Sequence, residues 1–242
     1  MGSVYTYAII ALLIEVRTYV NTQALDTLMR VLTVTSQKGG TGKTTLAAHL
    51  AVEAERAGAG PVAVVDTDPQ GSLASWWNSR VAETPLFAAV NIRQIREHLA
   101  QLQAQGINLV VIDTPPQLIE TIEAANTIAD LVLIPARPSP HDLRAVAVLV
   151  DMVEQAGKPF CFVVNGATPR STIATDALRA LAEHGKVAPV TVHHRVDFAA
   201  SMIDGRTVGE LSSQSRSAQE IASLWKYVST QLQKPARRQR HG

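Results

Sequence analysis

The sequence predicts an α/β domain: a doubly wound, mostly parallel sheet with helices on both faces. Three observations carry that prediction. Short runs of Val, Ile and Leu recur after Met29 and lack polar alternation, the mark of strands buried on both sides. Stretches with helical apolar spacing alternate with them, as crossover helices of a parallel sheet must. Charged and amide residues follow directly on the apolar runs: Lys38, Asp66, Asp68, Asp113 and Asn165. In a doubly wound sheet those positions share one edge, outside the carboxyl ends of the strands, where ligands sit.

The elements are expected in this order. Residues 31–36 form a buried strand and 43–57 a helix that stops near Gly58 and Gly60. Val62-Ala63-Val64-Val65 is a second strand, ending at Asp66-Thr67-Asp68-Pro69-Gln70. Trp76 and Trp77 begin a helix after that loop, for core packing or a partner contact rather than base stacking. Residues 91–105 carry Ile92, Ile95, Leu99 and Leu102 at helical spacing. Strands at 109–112, 131–134, 160–164 and 187–192 alternate with helices at 119–129, 141–155 and 172–184. A short helix lies between Arg195 and Arg206, and a helix over 217–233 closes the domain with Ile221, Leu224, Trp225, Val228 and Leu232 on one face.

The chain has 242 residues, 46% of them apolar, which suffices for a sizeable core. A formal net charge of +1 predicts neither nucleic-acid nor membrane binding by global attraction, so any such surface is local. The single cysteine, Cys161, lies in an apolar strand; it excludes an intrachain disulfide and fits a cytoplasmic protein. His193-His194 lacks the neighbours a metal site needs. Val4 to Val16 is apolar but shorter than the roughly 20 residues of a bilayer span, and no basic region precedes it as in a secretory signal. Residues 1–28 are therefore expected to be an accessory segment or an early-assigned start, 29–233 the folded domain, and 234–242 a basic tail. The tail carries Lys234, Arg237, Arg238 and Arg240; it either holds phosphates or is a solvated end.

Lys38-Gly39-Gly40-Thr41-Gly42-Lys43-Thr44-Thr45 stands between the first strand and its helix. Strand, glycine-rich turn and helix start together make a phosphate cradle, because glycines let successive N–H groups face one anion. Lys43 reaches the terminal phosphates and the Thr44 hydroxyl ligates Mg²⁺. Gln37 occupies the place of the usual first glycine, and an extra lysine, Lys38, stands at the mouth of the loop. Asp113 ends an apolar strand, where a carboxylate holds Mg²⁺ directly or through water. Asp68 and Asp66 are the further candidates near metal and attacking water. For Asp66 a turn-forming role is an equal reading.

Lys38 to Thr45 resembles the deviant P-loop of the ParA/MinD group of ATPases. The likeness continues through Asp66-Thr67-Asp68-Pro69-Gln70 and Val111-Ile112-Asp113-Thr114-Pro115-Pro116. The segments Ile134 to Leu143 and Arg195 to Glu210 are similar to the small ParA proteins of the ParF type. The resemblance covers residues 30–230 and implies a P-loop ATPase fold of the deviant Walker A class. It implies ATP and Mg²⁺ as cofactors, slow ATP hydrolysis stimulated by a small adaptor of ParB or ParG kind, and an ATP-dependent sandwich homodimer. Lys38 is then a catalytic contact made to the partner's phosphates, with Asp68 orienting water and Lys43 in its own site. Gly39, Gly40, Thr41, Gly42, Lys43, Thr44, Thr45 and Asn165 hold the nucleotide, Asn165 at adenine; Thr44, Asp66 and Asp113 serve the metal. Arg195 and Arg206 contact nonspecific DNA, placing the protein on the nucleoid, where it partitions or positions plasmid, chromosome or protein cargo. The alternative is a MinD-like regulator on the membrane, which needs the last helix as a lipid anchor.

Overall fold

The computed structural model describes residues 28–234. Seven strands form one sheet in the order β3-β2-β4-β1-β5-β6-β7, and every neighbouring pair is parallel. The strands are β1 (Arg30–Val34), β2 (Val62–Asp66), β3 (Leu86–Phe87), β4 (Leu109–Asp113), β5 (Leu131–Ala136), β6 (Phe160–Ala167) and β7 (Val192–His193). The helices are α1 (Lys43–Arg56), α2 (Ser72–Asn78), α3 (Ile95–Ala104), α4 (Ile119–Ile128), α5 (Pro140–Gln155), α6 (Thr172–Ala182), α7 (Val196–Met202), α8 (Val208–Leu211) and α9 (Arg216–Leu232).

The missing polar alternation has its expected cause. Leu32, Val34, Val64, Val111 and Leu133 pack on one face, with α1 and α9. Val31, Val65, Val110 and Ile112 pack on the opposite face with α3, and Val132, Ile134, Phe162 and Val164 with α5 and α6. From β1 the chain winds outward to β2 and β3, returns to β4, then crosses to β5 on the other side. Crossovers of one hand running in opposite directions put helices on opposite faces and open a crevice beside β1. Register aligns the strand ends there: Val34 is paired with Asp113, and Asp113 with Asp66.

Several boundaries move for identifiable reasons. The first strand stops at Val34 rather than residue 36, although the Thr35 N–H still donates to the Leu133 carbonyl of β5 at 3.0 Å. The helix read from residue 91 opens as a 3₁₀ turn at Ile92–Gln94, where the Asn91 side chain accepts from the Arg93 N–H; α3 starts at Ile95. Trp76 and Trp77 lie in the second half of α2, not at its start, and Trp76 is buried as packing requires. The strand read over 187–192 shrinks to a bridge between Phe162 and Val187 plus Val192–His193, since Pro189 between them has no N–H to donate. β3 and α8 are too short for periodicity to reveal. The expectations for residues 1–28 and 234–242 lie outside the described residues, save Leu28 and Lys234.

His49 ties α1 to α7. Its Nδ1–H donates to the Thr45 carbonyl at 2.7 Å, its Nε2 lies 3.5 Å from the Ser201 hydroxyl, and its ring meets Phe198 edge-on. Burial pushes its pKa down to about 4, against weaker upward pulls from the Thr45 hydrogen bond and Glu210. The unfolded histidine, with a pKa of about 6.5, protonates first on acidification. This group's contribution is therefore complete above about pH 6.5 and is lost progressively down to about pH 4, by roughly 3 kcal/mol in all. Urea unfolding between pH 7.5 and 4.5 is expected to show a stability slope about one proton shallower in His49→Gln than in the unaltered protein. Equal slopes would mean that His49 titrates alike in both states.

Candidate functional site

The cradle is built by backbone conformation first. Gly40 and Gly42 adopt left-handed φ values of 73° and 91°, open to glycine at little cost. Gly42 is also the N-cap of α1, so the turn runs directly into the helix amino end and its unpaired N–H groups. A Cβ on Gly42 would run into the amide of Asn165, whose Nδ2 donates to the Thr41 carbonyl at 2.6 Å. Asn165 thus reaches from the end of β6 and braces the turn. Gly39 is exposed with nothing over it, Thr41 is buried, and the Thr45 carbonyl is committed to His49.

Lys43 is buried, with its Nζ 3.3 Å from the Lys38 carbonyl, inside the turn. Burial lowers its pKa, while Asp113 and Asp68 pull it back up. The Thr44 hydroxyl donates to Asp113 Oδ2 at 2.5 Å. Asp113 is buried, and its Oδ1 has no hydrogen-bond partner among the described residues. Its pKa is pushed up to about 7, foremost by burial; Asp66 and Asp68 add to this, while the Thr44 hydrogen bond and Lys43 oppose it. An orphaned buried carboxylate oxygen beside a threonine hydroxyl and next to an anion cradle fits a hydrated Mg²⁺. Thr44 and Asp113 would hold it, and such an ion supplies charge neutralisation to a phosphate chain.

The Asp66–Gln70 loop is docked on that centre. Thr67 donates to the Asp113 carbonyl twice, from N–H at 3.0 Å and hydroxyl at 2.7 Å. Asp66 uses both oxygens internally: Oδ1 accepts from the Asp68 N–H at 3.0 Å and Oδ2 from the Ala74 N–H at 2.9 Å. The turn-forming reading of Asp66 is thus realised in the structure, and its carboxylate fixes the loop and the first turn of α2. Asp68 keeps one oxygen on the Gln70 N–H at 2.9 Å and remains half-buried at the rim.

Lys38 is held by a carboxylate outside its own loop. Its Nζ pairs with Asp142 Oδ1 at 3.1 Å, the lysine side chain 42% exposed and the aspartate 6%. Asp142 is in the first turn of α5, and its Oδ2 accepts from the Ser139 hydroxyl at 2.7 Å. Gln37, in the missing glycine's place, turns its amide to Met152 on α5. Sequence reasoning does not single out Asp142 or Thr67. The one available signal is Ser139-Pro140 with Asp142 three residues after the cap, a helix start that puts a carboxylate at the crevice.

Arg195 and Arg206 lie away from the cradle and are engaged within the chain. Arg195 Nη2 is 2.7 Å from Glu220 Oε1, which also accepts from His193 Nδ1 at 2.8 Å. Burial works against ionisation of Glu220, yet the hydrogen bonds from Arg195 and His193 hold its pKa below the ordinary value. Arg206 pairs with Asp204 at 2.6 Å, both exposed. Its carbonyl accepts from the Trp76 indole at 3.1 Å, and Arg80, just past the end of α2, donates to the Gly205 carbonyl and to Glu210.

A family model for the CobQ/CobB/MinD/ParA nucleotide binding domain matches residues 32–208, most of the chain. The chain belongs to that family. Among its relatives is a maintenance of carboxysome distribution protein A from Halothiobacillus neapolitanus, 32% identical over 197 residues, covering 77% of this chain and 90% of the relative. A protein of the same name from Gloeobacter kilaueensis is 39% identical over 162 residues, 64% of this chain and 72% of that one. Among solved structures, the septum site-determining protein MinD of Pyrococcus horikoshii with Mg-ADP has a TM-score of 0.70 at 18% identity, over 83% of this chain and 96% of that one. The fold likeness agrees with the all-parallel sheet. Family membership thus bears out the resemblance to the ParA/MinD group.

Proposed function

We propose that this family member is an ATP-driven positioning or partition ATPase. It binds Mg²⁺·ATP in the cradle, pairs with a second copy, and hydrolyses ATP slowly until an adaptor protein speeds the step. The observation that carries the reading is Lys38: a lysine at the mouth of the phosphate cradle whose ammonium is held by Asp142 of α5. A cation so placed serves phosphates presented from outside, as a facing subunit would present them. Thr44 and Asp113 hold the metal, Asp68 at the rim orients water, and Asn165 flanks adenine. Asp66 acts on the metal through the loop it braces. The likeness to two carboxysome-distribution proteins supports cargo positioning, with a protein assembly joining plasmid and chromosome as candidate cargo. The ATPase unit is residues 29–233, with 1–28 and 234–242 outside it.

Nonspecific DNA is the proposed matrix and the nucleoid of the cytoplasm the proposed location. Arg206 would exchange Asp204 for a phosphate, while Arg195 on Glu220 shapes the adjoining surface. A MinD-like membrane mode is disfavoured by α9, because Ile221, Leu224, Trp225, Val228 and Leu232 are all buried and give no free face to a bilayer. Among the described residues no helix is long and apolar enough to cross a membrane. Co-sedimentation with DNA and flotation with anionic liposomes, each with ATP and with ADP, decide between the two. The expected result is ATP-dependent DNA retention that falls steeply between about 50 and 200 mM salt. Liposome flotation with ATP and no DNA retention would reverse the assignment.

A further inference from the structure

Lys38 and Lys43 are not the only cations at the cradle. Arg137 follows Ala136, the last residue of β5. Its guanidinium lies over the glycine turn: a Cβ on Gly40 would stand 3.9 Å from both Nη1 and Nη2. Its stem crosses the end of β6, where a Cβ on Gly166 would stand 3.6 Å from Nε and 3.8 Å from Cγ. The side chain therefore lies in contact range of both glycines and spans from the neighbour of Asn165 to the phosphate turn.

Its charge is not compensated there. Lys38, Arg80, Arg195 and Arg206 each have a carboxylate, on Asp142, Glu210, Glu220 and Asp204. Arg137 is exposed and has no carboxylate within ion-pair distance among the described residues. A bare guanidinium against inward-facing N–H groups adds positive potential to positive potential, an arrangement that an anion between them relieves. A planar fork with several donors matches two phosphate oxygens where a lysine supplies a point charge.

We propose that Arg137 is a nucleotide-binding residue that clamps the phosphate chain of the nucleotide in its own subunit, at the end nearer the base. The placement follows from its two neighbours. Gly166 adjoins Asn165 on β6, whereas the metal side, at Thr44 on α1 and Asp113 on β4, lies on other elements. A contact at the base-proximal phosphates is made to ADP and ATP alike. The inference rests on the nucleotide reading of the cradle, and the test separates the two.

Calorimetric titration of Mg²⁺·ADP and Mg²⁺·ATP into the unaltered protein, Arg137→Gln and Arg137→Lys is the experiment. Arg137→Gln is expected to weaken ADP and ATP by a similar factor, roughly tenfold or more. Arg137→Lys is expected to recover part of that loss, and thermal melting without nucleotide to leave both variants unchanged, since no ion pair is broken. Binding of both nucleotides within twofold of the unaltered protein would overturn the proposal. A loss confined to ATP would also overturn it, by moving the contact to the terminal phosphate or to a facing subunit. If the unaltered protein bound neither nucleotide, the reading of the cradle itself would fall.

Discussion

Lys43→Ala is expected to lose ATP and ADP binding by about 3 kcal/mol, roughly a hundredfold in Kd. The side chain is buried inside the turn with its ammonium on the Lys38 carbonyl, so water has little access to replace it. Its truncation also leaves Asp113, already raised by burial, without the nearby cation that favours its charged form. The binding loss therefore combines a missing phosphate contact with a carboxylate that resists ionising for Mg²⁺. Titration of each nucleotide with and without Mg²⁺ separates the parts: the phosphate loss persists in EDTA, the metal part does not. Affinity within threefold of the unaltered protein would remove Lys43 from the phosphate site.

Asp68→Ala is expected to slow hydrolysis by about a hundredfold or more while sparing ATP affinity. Asp68 is the carboxylate at the rim whose position is set from three directions. Asp66 holds its N–H, Thr67 anchors the loop on the Asp113 carbonyl, and Gln70 closes the turn. None of those contacts uses both Asp68 oxygens, so one is free to orient a water. With chemistry stalled, size-exclusion chromatography is expected to show a longer-lived ATP-dependent dimer. Normal single-turnover rates in Asp68→Ala would assign the water to another group.

The parts of the fold legible in the sequence were those set by burial on two faces. β1, β2, β4, β5 and the helices between them follow from apolar runs that no solvent-facing strand would tolerate. The cradle was legible because glycine, lysine and threonine at fixed spacing leave few alternatives. What local sequence does not encode is which charged groups find each other. Lys38 and Asp142 are 104 residues apart and meet only because β1 and β5 are neighbours. Asp66 reads equally as metal ligand or turn former until the positions of the Asp68 and Ala74 N–H groups are known. Arg137 is illegible in the sequence for the same reason: what marks it is its approach to Gly40 and Gly166, which lie on other elements.

On the proposed pairing, the bond between Lys38 and Asp142 would make switching an exchange reaction. A facing subunit's phosphates would have to displace a carboxylate that is itself anchored by Ser139 at the start of α5. The driving force for assembly is then the difference between two ionic contacts, a much smaller quantity than either alone. Small differences are easily tipped, so in the proposed cycle modest changes around Ser139 or in the occupancy of the opposing site would set the concentration at which pairs form.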